Sequence, residues 1–315
     1  MKLRLVTRGS ALALRQADTV RHALEAFHGG IRIDVVTVRT TGDRETDAPL
    51  SSLGGTGLFT SELDRVVAAG EADIAVHSLK DVPTVTAEGL RIIAVLERED
   101  ARDAFVPGPG GAATLEALPR GARVGTSSLR RRALLGEIRP DLEVVELRGN
   151  LDTRLHKLRA GACDAAVLAL AGLRRLGRED VTGEILEAPP WLPAAGQGAI
   201  AVVARDGDDA TRTLVAPLDH ASTRFAITAE RAFLRTLRGG CQVPVGAFAT
   251  VDAARLSLHG LVASLDGKRV LRGALEGDTA AADATGVRLA SELLDAGADE
   301  VLAGIRTAAP SVSAP

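Results

Sequence analysis

Gly70–Ser78 reads GEADIAVHS and Gly161–Ala169 reads GACDAAVLA, and both fit G-x-x-D-x-A-V. Each is a glycine, then an acid, then a short apolar run, the pattern of a buried strand entering a sheet. A second echo lies upstream of each: VTRGSALAL (Val6–Leu14) and VGTSSLRRR (Val124–Arg132) both read as strand, short turn, serine, helix. A strand–turn–helix unit that recurs with its partner strand implies two similar α/β lobes facing each other across a cleft. Proteins of that shape bind small anions between lobes that hinge.

The pattern extends outward in both directions. Leu3–Thr7 is expected as a strand, Ser10–Phe27 as an amphipathic helix capped by Ser10, and Ile31–Val38, Asp73–Ser78 and Leu90–Leu96 as further strands. PGPGG (Pro107–Gly111) breaks the run, and the rhythm restarts. It continues with strands at Ala122–Thr126, Leu142–Leu147 and Asp164–Leu170 and helices at Ser127–Ile138 and Asn150–Gly161. This alternation predicts mostly parallel sheets. APPWLPAAGQGAI (Ala188–Ile200) reads as a crossover, with Ala199–Arg205 a strand returning to the first lobe. A third unit follows: a helix over Ser222–Leu237, the strands GAFATV and LSLHGLVAS, and a last helix over Ala284–Ala296. The tail from Arg306 is expected to be disordered. The resulting division is 1–98 with 198–217 as the first lobe, 99–197 as the second, and 218–315 as a small α+β C-terminal domain.

Composition narrows the function. The 315 residues carry 38 Lys plus Arg against 41 Asp plus Glu, and aromatics are 2% with no Tyr. That excludes the basic face and stacking platforms of nucleic-acid binders. No run is long and apolar enough for a membrane span, and the N-terminus lacks a secretory pattern, so a cytoplasmic protein is expected. Six His and two Cys show no zinc spacing, so no metal is assigned.

Charge is distributed unevenly. Residues 121–160 hold nine Lys/Arg against five Asp/Glu. Arg130 and Arg131 open a helix after Ser127 and Ser128, Arg148 ends a strand, Arg154 lies early in the next helix, and Arg8 precedes Ser10 in the other lobe. Strand-to-helix junctions of this kind offer free backbone N–H groups, and an arginine fork adds bidentate carboxylate contacts. Cations in a first helical turn oppose the helix dipole, so solvated decoration accounts for them poorly. Three such junctions point to a ligand with several carboxylates or phosphates. Lys80 and Asp81 directly follow a buried strand, where open α/β sheets bind ligands; taken alone, an ion-paired turn before Pro83 explains them as well. Thr40–Phe59 is polar and aperiodic, the pattern of a lid or a disordered loop. Cys163 borders an apolar strand and reads as structural. Cys241 sits in RGGCQVPVG (Arg238–Gly246), between glycines and a proline, as a nucleophile, redox thiol or covalent anchor.

Nine stretches together resemble the porphobilinogen deaminase (hydroxymethylbilane synthase) family: TRGSALALRQA, GLFTSEL, ADIAVHSLKDVPT, EREDARDAF, VGTSSLRRR, LRGNLDTRL, LALAGLRRLG, PAAGQGAI and GGCQVPVG, in order from residue 7 to residue 246. The resemblance implies two periplasmic-binding-protein-like lobes around a cleft plus the small C-terminal domain, and a monomer. It implies an enzyme that joins four porphobilinogens head to tail into hydroxymethylbilane, releasing ammonia at each addition, in tetrapyrrole biosynthesis. The chain grows on a dipyrromethane cofactor held by a thioether, and Cys241 matches the anchoring position. Carried over by motif, Arg8, Ser10, Lys80, Ser128, Arg130, Arg131, Arg148, Arg154 and Arg175 bind acetate and propionate groups. Asp81 holds pyrrole N–H groups, stabilises the cation left when ammonia departs and assists proton transfer. Gln16, Asp43, Phe59 and Gln197 match further cleft positions. One departure stands out: the family's G-G-K-G-L-F is GGTGLF here, and the lysine's role does not pass to Thr56. Two alternatives remain open: a non-enzymatic two-lobed anion-binding protein, and a thiol-dependent amidohydrolase.

Overall fold

The structure, a computed structural model of the chain, describes residues 2–40, 42, 57, 60–238 and 243–308. Two five-stranded sheets and one three-stranded sheet organise it. The first sheet contains β1 (Lys2–Arg8), β2 (Arg32–Val38), β3 (Ile74–Ser78), β4 (Leu90–Val95) and β10 (Ile200–Arg205), in the order β2-β1-β3-β10-β4. The second contains β5 (Asp103–Pro107), β6 (Arg123–Gly125), β7 (Glu143–Val145), β8 (Ala165–Ala169) and β9 (Glu184–Leu186), in the order β7-β6-β8-β5-β9. The two orders are equivalent. In each sheet the first three strands are mutually parallel and one strand is reversed. The reversed strands are β10 and β5, the ones that enter directly after the chain has crossed from the other sheet. The expected return of Ala199–Arg205 to the first lobe is thus met, and parallel pairing yields only at the crossover strands.

The G-x-x-D-x-A-V echo has a structural cause. The helices α1 (Ala11–Phe27) and α2 (Ser61–Ala68) belong to the first lobe; α3 (Leu129–Ile138), α4 (Leu151–Arg159) and α5 (Leu170–Arg175) belong to the second. Gly70 follows α2 at φ 71° and Gly161 follows α4 at φ 78°. These are left-handed positions that glycine adopts without strain at a helix C-terminus. Their N–H groups donate to Val67 and Leu158 carbonyls, each at 3.0 Å. The motif's acid then clamps the neighbouring strand. Asp73 Oδ2 accepts Arg4 N at 2.7 Å and its Oδ1 accepts Arg4 Nη2 at 2.6 Å. Asp164 Oδ2 accepts Arg123 N at 2.7 Å and its Oδ1 accepts Arg123 Nη2 at 3.0 Å. One motif therefore stops a helix, registers two parallel strands and starts a buried strand, once per lobe.

After β10 come α6 (Asp209–Val215) and α7 (Ala221–Thr236). The third sheet is an antiparallel meander of β11 (Val245–Asp252), β12 (Arg255–Ala263) and β13 (Val270–Asp278), followed by α8 (Ala282–Leu293) and α9 (Asp299–Ala308). Helices α7 and α8 pack on this sheet through Phe233, Leu258 and Leu289. Gly260 makes the fit possible, because a Cβ there would stand 2.5 Å from the Phe233 ring. Seven strands and helices escape the sequence reading: β5, β9, β13, α2, α5, α6 and α9. The last of these runs to Ala308, into the tail expected to be disordered, and 309–315 lie outside the described residues.

Glu230 of α7 ties the third unit to both crossovers. It is fully buried. Its Oε1 accepts Arg98 Nη1 at 2.6 Å and Ala249 N at 2.7 Å; its Oε2 accepts Arg98 Nη2 at 3.1 Å and Gly196 N at 2.7 Å. Arg98 lies between β4 and β5, and Gly196 between β9 and β10. The chain thus passes between the lobes twice, and both passages are bonded to one carboxylate.

Candidate active site

The cleft lies at the carboxyl ends of the parallel strands of both sheets, where α/β folds present ligand sites. It is a cavity of about 760 Å³. Arg8, Arg39 and Lys80 line it from the first lobe, and Arg131, Arg148 and Arg154 from the second, with Asp81 the one carboxylate among its described lining residues. Two helices begin at its wall and a third just behind it, each capped by a side chain, which leaves the remaining first-turn N–H groups available. Ser10 Oγ accepts Ala13 N at 3.3 Å, Ser128 Oγ accepts Arg131 N at 3.4 Å, and Asn150 Oδ1 accepts Thr153 N at 2.9 Å.

Lys80 and Asp81 sit in the single turn of 3-10 helix, Leu79–Asp81, that follows β3. Leu79, fully buried, anchors that turn against Gly196, where an added Cβ would stand 2.9 Å from the leucine Cγ. Burial first, and Arg131 next, pull the Lys80 ammonium down to about 8, against the opposing pull of Asp81 and Asp103. Burial likewise brings Arg154 down to about 10. Among the cleft arginines, two guanidinium nitrogens, Arg148 Nη1 and Arg131 Nε, are buried with no hydrogen-bond partner among the described residues. An orphaned buried donor costs about 1–3 kcal/mol. A ligand acceptor that reaches it recovers that cost.

The structure divides the sequence-derived set. Arg8, Ser10, Gln16, Lys80, Asp81, Arg131, Arg148 and Arg154 meet in the cleft. Gln16 is buried within it and exchanges hydrogen bonds with Ser78 Oγ at 2.8 and 3.1 Å. Arg130 does not line the cleft. Its Nη1 donates to the Leu192 carbonyl at 2.7 Å and its Nη2 to Asp103 Oδ2 at 2.8 Å, so its fork is occupied inside the protein. Arg175 is also turned away: it donates to the Gly198 carbonyl at 2.6 Å and lines a shallow groove beside Arg15 and Asp18. Ser128 caps its helix from behind the wall. Gln197 is buried behind Lys80. Asp43, Phe59 and Cys241, and with them Thr56, lie outside the described residues. Cys163 is 2% exposed, and burial raises its thiol, in keeping with a structural role.

Three residues escaped the sequence reading. Arg39, just after β2, follows the same strand-end logic as Arg8, and that signal was there to use. Asn150 was read as the start of a helix, but not as its cap. Asp103 lies within EREDARDAF, but nothing in that stretch assigned it a role. It is fully buried and takes four donors: Arg130 Nη2 and Trp191 Nε1 at 2.8 Å on Oδ2, Arg131 Nη2 at 2.7 Å and Gln197 Nε2 at 2.8 Å on Oδ1. Burial alone would raise its pKa, but the Arg130 and Arg131 guanidiniums outweigh it and hold the carboxyl far below the usual range.

Comparison with known proteins places the chain in a family. The family model "Porphobilinogen deaminase, dipyromethane cofactor binding domain" matches residues 3–213, and "Porphobilinogen deaminase, C-terminal domain" matches residues 224–295. The porphobilinogen deaminase of Roseiflexus castenholzii is 50% identical over 302 residues, covering 96% of this chain and 99% of that protein. That of Syntrophobacter fumaroxidans is 47% identical over 300 residues, covering 95% and 96%. Among solved structures, the methionine binding protein MetQ superposes with a TM-score of 0.45 at 12% identity, covering 69% of this chain and 89% of its own. That likeness is too loose to add to the strand orders given above. Two family models and near-full-length relatives leave one conclusion: the chain belongs to the porphobilinogen deaminase family.

Proposed function

We propose that this enzyme condenses four porphobilinogens into hydroxymethylbilane in its inter-lobe cleft, on a dipyrromethane held by Cys241. The observation that carries the reading is the balance of the cleft wall among the described residues, six cationic side chains against one carboxylate. Each pyrrole of the growing chain brings an acetate and a propionate, so the product is a polyanion that such a wall neutralises. The donor set also fits the cofactor, whose four carboxylates suit orphaned guanidinium N–H groups like those of Arg148 and Arg131. When bound, dipyrromethane supplies the pyrrole carbon onto which the first substrate is joined.

Arg8, Arg39, Lys80, Arg131, Arg148 and Arg154 pair with acetate and propionate groups. Ser10 and the capped helix N-termini add neutral donors. Asp81 accepts pyrrole N–H groups and stabilises the positive charge left on the substrate as its C–N bond breaks and ammonia leaves. It also assists transfer of the proton released on carbon–carbon bond formation. Ser128, Arg130 and Arg175 act from behind the wall, by holding the elements that present these groups. Asp43 and Phe59 join the cleft by their match to the family motifs. Cys241 follows α7 in the chain, and its GGCQVP context supports the role of anchor. The division into 1–98 with 198–217, 99–197 and 218–315 is supported by the three sheets, each of which falls within one unit. Among the described residues no helix is long and apolar enough to cross a membrane. We place the enzyme in the cytoplasm as a monomer.

The test is Asp81→Asn. An amide keeps the shape of the turn but cannot stabilise an adjacent cation as a carboxylate does. The variant is expected to melt like the wild type and to lose about 100-fold or more in turnover, read as porphobilinogen consumed and ammonia released. Turnover close to wild type would remove Asp81 from the chemistry.

A further inference from the structure

Three pieces of chain converge behind Lys80. Gln197 lies in the second crossover and is 1% exposed. Its Nε2 donates to the Ala101 carbonyl at 2.6 Å and to Asp103 Oδ1 at 2.8 Å. Its Oε1 accepts Lys80 Nζ at 3.3 Å. The two ends of an amide have nearly the same shape, so its partners must decide its orientation. Reversal would set the oxygen against two acceptors and the NH2 against an ammonium. Ala101 and Asp103 therefore fix the amide, and its carbonyl oxygen is the end presented to Lys80. Asp103 cannot shift to accommodate another arrangement, since Arg130, Arg131 and Trp191 hold both of its oxygens.

We infer that Gln197 is a positioning residue that works through Lys80: anchored on Asp103 of the second lobe, its amide oxygen holds the Lys80 ammonium of the first lobe in place at the cleft wall. Gln197 thereby links the two lobes at the turn that also carries Asp81, without touching the ligand. Among the described residues, Arg131 and Arg154 disfavour the Lys80 ammonium, and Asp81 and Asp103 favour it. A neutral acceptor on Nζ favours the charged form. Its removal therefore makes Lys80 give up its proton at lower pH. The inference rests on Lys80 being a carboxylate ligand.

Competitive acetylation of the full-length chain across a pH series, read by peptide mass spectrometry, tests it. Lys80 is resolved from Lys2, Lys157 and Lys268, the other lysines of the chain. In Gln197→Met the Lys80 midpoint is expected to fall by roughly half to one pH unit. The kcat/KM for porphobilinogen should fall about tenfold, with its alkaline limb following the midpoint. In a Lys80→Met background, adding Gln197→Met should change kcat/KM by less than about twofold, because both substitutions remove one interaction. Gln197→Ala repeats the measurements if the methionine is not accommodated. An unmoved midpoint in a folded variant, or losses that multiply in the double variant, overturns the inference. Protection of wild-type Lys80 by bound pyrroles tests the underlying reading separately: without protection Lys80 is no ligand, whereas protection with an unmoved midpoint removes only Gln197.

Discussion

Lys80 carries two opposite pH dependences. Folding lowers its pKa from 10.5 to about 8. Between those values the unfolded chain binds more protons than the folded one, so this group makes stability rise with pH across that window. Carboxylate binding runs the other way, because the ammonium that attracts the anion is lost as pH rises through about 8. Urea unfolding of wild type and Lys80→Met over a pH series should show the wild type gaining on the variant between about 8 and 10.5. Porphobilinogen binding by the wild type should weaken over the same range. Parallel changes in both quantities would contradict the assignment. At this scale the sequence revealed that arginines gather at strand ends, and Arg8, Arg131, Arg148 and Arg154 do line the cleft. It did not distinguish Arg131 from Arg130. The two are adjacent in one helix and share Asp103, and only the placement of the helix decides which of them reaches the cavity.

At the scale of elements, the starts of α1, α3 and α4 were readable because their caps are local. Ser10, Ser128 and Asn150 each bond an N–H three residues on. Strands β5 and β9 were not readable, because they are short and pair with segments far along the chain: Asp103 with Ala169 and with Leu186. The crossovers were visible only as a Pro/Gly-rich stretch, and nothing local marks Arg98 or Glu230 as their anchor. Glu230 is fully buried, Arg98 nearly so, and two backbone N–H groups complete the carboxylate's coordination. Removing one partner of such a pair leaves a buried charge unpaired, at a cost of about 3–5 kcal/mol. Arg98→Ala should show that loss as a lower urea midpoint. A loss below about 1 kcal/mol would mean that the pair behaves like a surface bridge.

Across the whole molecule, the echo between Gly70–Ser78 and Gly161–Ala169 revealed the two-lobed architecture, because the motif performs the same three tasks in each lobe. The third unit docks by contacts that no repeat announces. Gly267, in the β12–β13 turn, lies so close to α3 that a Cβ would stand 2.3 Å from Glu137 N. Arg272 of β13 meets Glu137 in a double hydrogen bond at 2.6 and 2.5 Å. The same unit, through Glu230, holds both crossovers, and its helix α7 leads in sequence to Cys241. A cationic cleft between two lobes and a thiol carried by the third part form one device if an oligopyrrole is tethered at the thiol while its carboxylates rest on the wall. Intact mass spectrometry of the protein purified from a porphobilinogen-producing host tests this most directly. The wild type is expected to be heavier than its sequence by one dipyrromethane, and Cys241→Ala to carry no adduct. A wild-type mass equal to that of the bare chain, or an adduct that survives in Cys241→Ala, would contradict it.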